Sequence, residues 1–299
     1  MIEIVTRSPL DGEIPALRNI WDDVFGSEGL DSFFFRFYDP NHCVVAEFEK
    51  IPAASGYLVP FGTIKFNNDI SEEIPCAMIY SVAVLPEYRS MGLGTAVVNE
   101  LICRARKYGF PAVVLCPSDD GLFEYYRNRT ELVDWFYTDD IIVKNISAGS
   151  CNGLLTPVNI NTTDYNFIRE ELLKETVHIK HDLKIMEYQE DFCTESGGGL
   201  FQIGDYCTVV ERQSENTVWI KELLAPAEIK NNKTIDEAVT DVIYAISSLF
   251  PADRYLIRLP SFYGKGRRFG MLALDDDTVP GKLLLNNMVY SPWYGMAFD

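Results

Sequence analysis

The first half of the chain alternates between strand-like and helix-like patterns of apolar residues. Residues 2–7 alternate apolar and polar positions, as in a half-buried β-strand, and residues 14–25 carry apolar residues at helical spacing. Residues 44–49 and 56–66 predict antiparallel strands, followed by turn-forming residues at 67–69. These patterns predict an α/β (α+β) fold with mixed sheets flanked by helices.

A strand, a helix and a second strand follow in close succession. Residues 78–85 form a long apolar stretch that ends at Pro86. Apolar positions within residues 93–105 then mark one face of a helix that closes at Gly109, and residues 112–115 form a short apolar strand. This order predicts a βαβ unit.

The second half of the chain begins where this patterning lapses. Around residues 145–157 the sequence turns to Asn, Ser, Gly and small residues, so we predict two domains, at residues 1–146 and 157–299. The patterns beyond the boundary predict a helix within residues 164–184, strands at 200–213 and 217–224, a helix at 235–250 and a strand at 255–259.

Proline positions suggest that the two halves are copies of one fold. The first strand, helix and strand end at Pro86 and Pro117, and the same succession in the second half ends at Pro226 and Pro260. A repeated order of elements is the usual mark of an internal structural repeat.

Composition narrows the classes of partner. The 299 residues carry a formal net charge of -18, so we expect neither nucleic acid nor a membrane surface as a partner. A cationic small molecule fits this charge better, although acidity also serves simply to keep a protein soluble. No apolar run approaches the roughly 20 residues that a spanning helix needs, and the first residues lack the pattern of a signal peptide.

Cysteine and histidine usage points to a cytoplasmic protein without a metal centre. The seven cysteines are odd in number and widely scattered, which fits reduced thiols better than a disulfide framework. His178 and His181 lie three residues apart on a predicted helix, but the sequence offers no third ligand near them. We therefore expect no metal.

The loop between Pro86 and the predicted helix carries the clearest chemical signal. Two glycines, Gly92 and Gly94, stand where the helix begins, and Arg89 adds a cation. Unpaired backbone amides and the helix dipole make such an N-terminus suited to a pyrophosphate group. A dinucleotide-binding loop is the competing interpretation, but its fingerprint needs a third glycine, and Thr95 follows Gly94 instead.

This stretch, with Val84, Pro86, Arg89, Gly92 and Gly94 at their spacing, resembles the acetyl-CoA signature of the GCN5-related N-acetyltransferase (GNAT) superfamily. The resemblance implies an acetyl-CoA-dependent N-acetyltransferase in which a primary amine attacks the thioester directly. It implies that acetyl-CoA binds at Val82, Ala83, Val84, Arg89, Ser90, Met91, Gly92, Leu93, Gly94 and Thr95. A backbone amide near Val82 would polarise the thioester carbonyl.

The resemblance also implies a catalytic tyrosine on the helix after the second strand. Tyr126 is the best match for the residue that protonates the departing thiolate. Thr130 stands where the family has a glycine, so Tyr125 and Phe123 stay open as alternatives.

No residue at the expected position supplies the general base. The strand before the loop lacks the glutamate that many relatives use, which leaves a water relay, a more distant carboxylate such as Glu47, or a group from the other domain. The tandem order resembles the enhanced-intracellular-survival group of acetyltransferases, without its sterol-carrier domain. In that group the terminal carboxylate acts as base, which makes Asp299 a catalytic candidate on a tail that would bury itself against the first domain.

The second domain is expected to be a degenerate copy. Residues 227–233, where a phosphate-binding loop would lie, contain no glycine pair, so we expect one acetyl-CoA site per chain. The acceptor is expected to be a small-molecule or peptide amine, and a homo-oligomer is compatible with the sequence. A CoA- or acyl-CoA-binding sensor or scaffold without efficient transfer is the alternative function, and a longer acyl donor is a further possibility.

Overall fold

The structure is a computed structural model that describes residues 4–66, 73–144, 155–226, 235–262, 264–275 and 290–298. The chain divides into two compact units. Unit 1 comprises the described residues of Met1–Thr63, Ile74–Trp135 and Gly270–Asn286. Unit 2 comprises those of Ile64–Glu73, Phe136–Phe269 and Asn287–Asp299. The predicted domain boundary falls largely outside the described residues, so the predicted domain limits stay a prediction.

Unit 1 is a sheet with helices packed on it. Its elements in chain order are β1 (Val5–Arg7), α1 (Ile14–Phe25), α2 (Leu30–Arg36), β2 (Cys43–Phe48), β3 (Ile51–Lys65), β4 (Glu73–Val84), α3 (Leu93–Lys107), β5 (Ala112–Leu115), α4 (Asp120–Arg129) and, from late in the chain, the end of β13 (Arg267–Leu274). The strands lie in the order β1-β2-β3-β4-β5-β13. Strands β4 and β5 are parallel, and β13 joins β5 in antiparallel pairing.

Close packing fixes helix α3 on this sheet. Its buried residues Val97, Leu101 and Ala105 belong to one core cluster together with Ala77 of β4. Gly56 of β3 lies directly beneath the helix, because a Cβ there would come within 2.7 Å of Val97 Cγ1. The missing side chain therefore lets the helix sit close to the strands.

Unit 2 repeats this plan. Its elements are β6 (Val133–Lys144), β7 (Pro157–Asn159), α5 (Thr162–Leu173), β8 (His178–His181), α6 (Leu183–Glu195), β9 (Gly199–Ile203), β10 (Tyr206–Ser214), β11 (Thr217–Leu224), α7 (Ile235–Leu249) and β12 (Arg254–Pro260). The sheet order is β6-β12-β11-β10-β9-β7. Strands β11 and β12 are parallel, like β4 and β5, and their other neighbours are antiparallel.

The structure corrects two predicted elements in unit 2. The predicted strand at residues 200–213 is in fact two antiparallel strands, β9 and β10. His178 and His181 lie on the short strand β8 and not on a helix. Residues three apart on a strand point to opposite faces, so the pair does not share a face as it would on a helix. Within the described ranges, no group of His, Cys, Asp and Glu side chains is arranged to hold a metal ion. Nor does any helix in those ranges have the length and apolar character needed to cross a bilayer.

Candidate functional site

Strand β4 extends beyond its pairing with β5 in unit 1. Their register runs from Cys76 opposite Ala112 to Met78 opposite Val114, and β5 ends one residue later. Strand β4 continues to Val84, and Ser81 on this stretch has a φ of 49°. A left-handed residue inside a strand bends it and breaks the ladder, as a bulge does. Residues 79–84 of β4 therefore lie beyond the register with β5 and form what we call its diverging end.

The predicted acyl-binding strand residues lie on this diverging stretch. Val82 and Val84 are half-buried and pack against the α3 core cluster, whereas Ala83 is buried. The resemblance implies that the backbone N–H and C=O groups of this stretch bind a ligand. The ligand would pair with them as an added strand does. The sequence carried no local signal for the bend at Ser81, because serine seldom adopts this conformation.

The loop after β4 leads to an open helix N-terminus. Ser90 and Gly92 have φ values of 64° and 92°, and Arg89, Ser90, Met91 and Gly92 are all exposed. Gly92 is the N-cap of α3, and no side chain caps the helix there. The first amides of a helix have no partner within it, and the aligned peptide dipoles place partial positive charge at this end. The site is therefore suited to an anion.

The two glycines of the loop have different structural roles. Gly92 supports a left-handed backbone that residues with side chains adopt rarely. Gly94 lies inside the first turn of α3, where an added Cβ would meet Tyr125 OH and Val84 Cγ2 only at 3.5 Å, an ordinary contact. The packing of the protein alone thus leaves room for a Cβ at position 94. A ligand that closely approaches the backbone would be a separate reason for glycine at this position.

Helix α4 brings two tyrosines to the same region. Tyr126 is only 6% exposed and belongs to the core cluster beneath α3, and burial raises the pKa of its hydroxyl above the ordinary value. Tyr125 is half-buried, and its hydroxyl lies 2.7 Å from Oγ1 of Thr95 in the first turn of α3. The Arg129 guanidinium lies 4.6 Å from the centre of the Tyr125 ring. Phe123 is buried in the core.

Thr130 is the C-cap of helix α4 and ends the helix without a glycine. Its backbone is extended, with a φ of -135°, and its Oγ1 donates to the carbonyl of Tyr126 at 2.8 Å. The same oxygen accepts from the amide of Leu132 at 3.2 Å. The side chain therefore satisfies backbone groups that a left-handed glycine would otherwise satisfy.

Two carboxylates, those of Glu47 and Asp299, are candidates for the general base. Glu47 on β2 accepts from Nε of Arg7 at 2.8 Å and from its Nη2 at 2.5 Å, and the same guanidinium also binds Glu13. Asp299 lies outside the described residues. The described tail before it belongs to unit 2, where Nε1 of Trp293 donates to Glu222, and the role of Asp299 stays a prediction.

Comparison with known proteins identifies the fold around this site. Residues 14–128 match the family model described as "Acetyltransferase (GNAT) family". No curated protein matches the chain.

Three solved structures illustrate the likeness of the whole chain. A GCN5-related N-acetyltransferase from Kribbella flavida is 16% identical, with a TM-score of 0.64 over 92% of this chain and 72% of that one. Eis1 from Mycobacterium abscessus is 13% identical, with a TM-score of 0.61 over 92% and 74%. A tandem GNAT protein from the clavulanic acid biosynthesis pathway is 12% identical, with a TM-score of 0.51 over 92% and 99%.

The matched segment contains the β4 divergence, the open N-terminus of α3 and all but the last residue of α4. The similarity to the tandem GNAT protein and to Eis1 covers 92% of this chain and therefore extends over both units. The predicted resemblance and the predicted tandem fold are thereby confirmed: residues 14–128 match the GNAT acetyltransferase family model, in a chain with the tandem GNAT fold.

Proposed function

We propose that unit 1 transfers an acetyl group from acetyl-CoA to a primary amine by direct attack on the thioester. The observation that carries this proposal is the uncapped N-terminus of α3, which follows directly on the diverging end of β4. It offers backbone amides for a pyrophosphate and strand backbone for an extended arm in one continuous stretch. The GNAT family match supports the acyl-transfer class.

The binding residues divide into two groups by chemistry. Backbone amides between Arg89 and Thr95 would hold the pyrophosphate, with the exposed Arg89 as an added cation. Backbone groups of Val82, Ala83 and Val84 would pair with the pantetheine arm. An amide near Val82, aimed at the thioester oxygen, would stabilise the negative charge that develops there during attack.

Proton transfer at the leaving group is assigned to Tyr126. A tyrosine hydroxyl is protonated at neutral pH, as a proton donor to a thiolate must be, and burial raises the pKa of Tyr126 further. Tyr125 is the alternative donor, since its hydroxyl lies at the first turn of α3. Asp299 is the proposed base, carried by the family resemblance. Deletion of Asp299 alone tests this assignment, because the deletion leaves residues 290–298 in place.

The alternative function is binding of CoA or an acyl-CoA without efficient transfer. Two observations favour it: Glu47 is held by Arg7, and β4 itself supplies no carboxylate next to Ser81. Transfer of a longer acyl group is a variant of the main proposal. We also propose the cytoplasm as the site of action and the limits 1–146 and 157–299 for the two domains.

Calorimetric titration with acetyl-CoA tests the site. The Gly92→Glu variant places a side chain and a negative charge at the open N-terminus, and we expect it to abolish measurable binding. Gly109→Glu is the matched control, because Gly109 also has a positive φ, of 86°, and a Cβ there meets nothing within 4 Å. Absence of binding by the native chain, or equal binding by the Gly92→Glu variant, contradicts the proposal.

Turnover separates the enzyme from the scaffold. A native chain that binds acetyl-CoA but releases no free CoA thiol across a panel of primary amines would favour the scaffold. Release that depends on an amine supports the transferase, and the panel then ranks aminoglycosides, polyamines and lysine peptides.

A further inference from the structure

The second repeat contains the same strand divergence as the first. Strands β11 and β12 pair from Thr217 to Ile220, and β11 then continues to Leu224. The register with β10 steps from Val210 opposite Ile220 to Val209 opposite Glu222, so Lys221 is the extra residue of a bulge. A bent strand therefore parts from its parallel neighbour in unit 2, as β4 does in unit 1.

A fully buried ion pair lies on this diverging stretch. The carboxylate of Glu222 accepts from Nε of Arg169 at 3.0 Å and from the hydroxyl of Tyr165 at 3.0 Å. Both charged side chains are 0% exposed. Arg169 also donates from Nη1 to the carbonyl of Ile179 at 2.9 Å. Buried charges are tolerated only with such partners, so the surroundings of Glu222 are specific.

The C-terminal segment, residues 290–298, supplies one of those partners. Nε1 of Trp293 donates to Oε2 of Glu222 at 2.6 Å, and the Trp293 side chain is fully buried. The Trp293 backbone donates to Val177 at 2.8 Å and accepts from Ile179 at 3.0 Å, as an added strand does. Upstream, the amide of Ser291 donates to Ser261, the residue after β12.

The later residues of the C-terminal segment also pack against unit 2. Gly295 has a φ of 81°, and a Cβ on it would come within 2.5 Å of Nη2 of Arg169. Met296 joins the core cluster of Leu224 and Met186, and the Phe298 ring lies 4.8 Å from that of Tyr188. The segment thus runs from the end of β12 across to Glu222 on β11.

We propose that the second repeat binds the chain's own C-terminal segment beside its diverging strands, with the segment's backbone paired to residues 177–179 and Trp293 as the anchor on Glu222, and holds no second acyl-transfer site. The occupant is a peptide that combines strand-like backbone pairing with an indole donor to a buried carboxylate. This inference goes beyond the acetyltransferase activity proposed for unit 1 and does not depend on it.

Binding in trans tests the proposal. A chain that ends at residue 289 is mixed with a synthetic peptide of residues 290–299, and binding is followed by calorimetry without acetyl-CoA. We expect saturable 1:1 binding that raises the melting temperature of the shortened chain. A peptide with Trp293→Ala should bind at least about 10-fold more weakly, because it loses a hydrogen bond to a charged group. A folded shortened chain that fails to bind the native peptide overturns the proposal.

The full chain provides a second test that does not need the truncation to fold. Hydrogen exchange should show the amides of Ile179 and Trp293 protected in the native protein. In Trp293→Ala, protection within residues 291–297 should fall while that of α3 is unchanged. Exchange of the native segment at the rate of an unfolded peptide overturns the proposal, as does binding of two acetyl-CoA molecules per native chain.

Discussion

The two βαβ repeats differ in what lies where their parallel strands diverge. In unit 1, Ser81, Val82 and Val84 stay partly exposed beside a helix N-terminus without a side-chain cap. In unit 2, Glu222 is fully buried in contact with Arg169 and the C-terminal segment. The same local architecture is therefore exposed at the helix N-terminus in unit 1 and is covered by the C-terminal segment in unit 2.

The difference shows that the backbone plan does not determine the chemistry. Both repeats keep the parallel pair and a bent strand, which are properties of the fold. The first repeat has an exposed helix N-terminus without a side-chain cap, whereas the second places a buried charge that needs an ionic partner. Two copies of one fold can therefore carry different chemistry.

Removing the cation of the filled repeat should give the largest effect. Arg169→Met leaves the carboxylate of Glu222 buried without its ionic partner, and we expect a loss of about 3–5 kcal/mol in the free energy of unfolding. Urea denaturation measures it. Adding Glu222→Gln should recover part of the loss, because a neutral amide no longer requires the charge. A single variant as stable as the native chain would show that the pair does not hold the second repeat closed.

Removing the assigned acid of the open repeat should affect turnover without affecting binding. Tyr126→Phe deletes the proposed proton donor, so we expect kcat to fall about 100-fold while the Kd for acetyl-CoA holds. Steady-state kinetics with a responsive amine, beside calorimetry, make the measurement. Tyr125→Phe is the decisive comparison. A larger fall in kcat for that variant would move the role to the hydroxyl next to Thr95.

The parts of the molecule that the sequence predicts are those with a local signal. Residues 14–25 and 112–115 match α1 and β5 to the residue, because apolar periodicity reports burial directly. Helix α2 went unpredicted, since its run of three phenylalanines lacks clear periodicity. In the candidate site, the spacing of the glycine loop is a local signal, and the α4 tyrosines are implied by the resemblance to the GNAT family.

Other features of the two repeats depend on contacts between distant parts of the chain. The left-handed backbone at Ser81 has no compositional signal, and the Arg169–Glu222 pair joins positions far apart in sequence. The aromatic tail was correctly expected to be buried, but its partner in unit 2 could not be read from the tail itself. A hydrophobic pattern predicts that a segment is buried without specifying the surface that covers it.

A third prediction concerns Glu170, which contacts Arg169 and is more exposed than Glu222. Burial raises the pKa of Glu170, but the hydrogen bond and charge of His178, with the charges of Arg169 and Lys65, outweigh it and lower that pKa to about 2. A lowered pKa stabilises the folded state above the ordinary value of 4.5, and this contribution is lost as the pH falls towards 2.

Glu170→Gln should therefore lower the free energy of unfolding by about 2 kcal/mol at neutral pH and flatten its decline below pH 4.5. Urea denaturation across a pH series measures both. Glu171→Gln is the matched control, because its side chain is 65% exposed and its contact with Lys174 is long, at 4.0 Å. If the free energy of unfolding depends on pH in the same way in the native chain and in the Glu170→Gln variant, Glu170 does not contribute to stability through its ion pairs.

The smallest change tests why the open repeat keeps a glycine at position 94. Gly94→Ala adds one methyl group where the protein offers ordinary contacts, and alanine favours a helix over glycine by about 0.5–1 kcal/mol. We therefore expect the melting temperature to hold or rise while the Kd for acetyl-CoA weakens about 10-fold, equivalent to about 1.4 kcal/mol. Thermal unfolding and calorimetry on the same sample give both values. Because the two effects have opposite signs, a general loss of folding cannot imitate the result. An unchanged Kd would mean that the bound phosphates do not approach the backbone at Gly94, and the open N-terminus would then need another explanation.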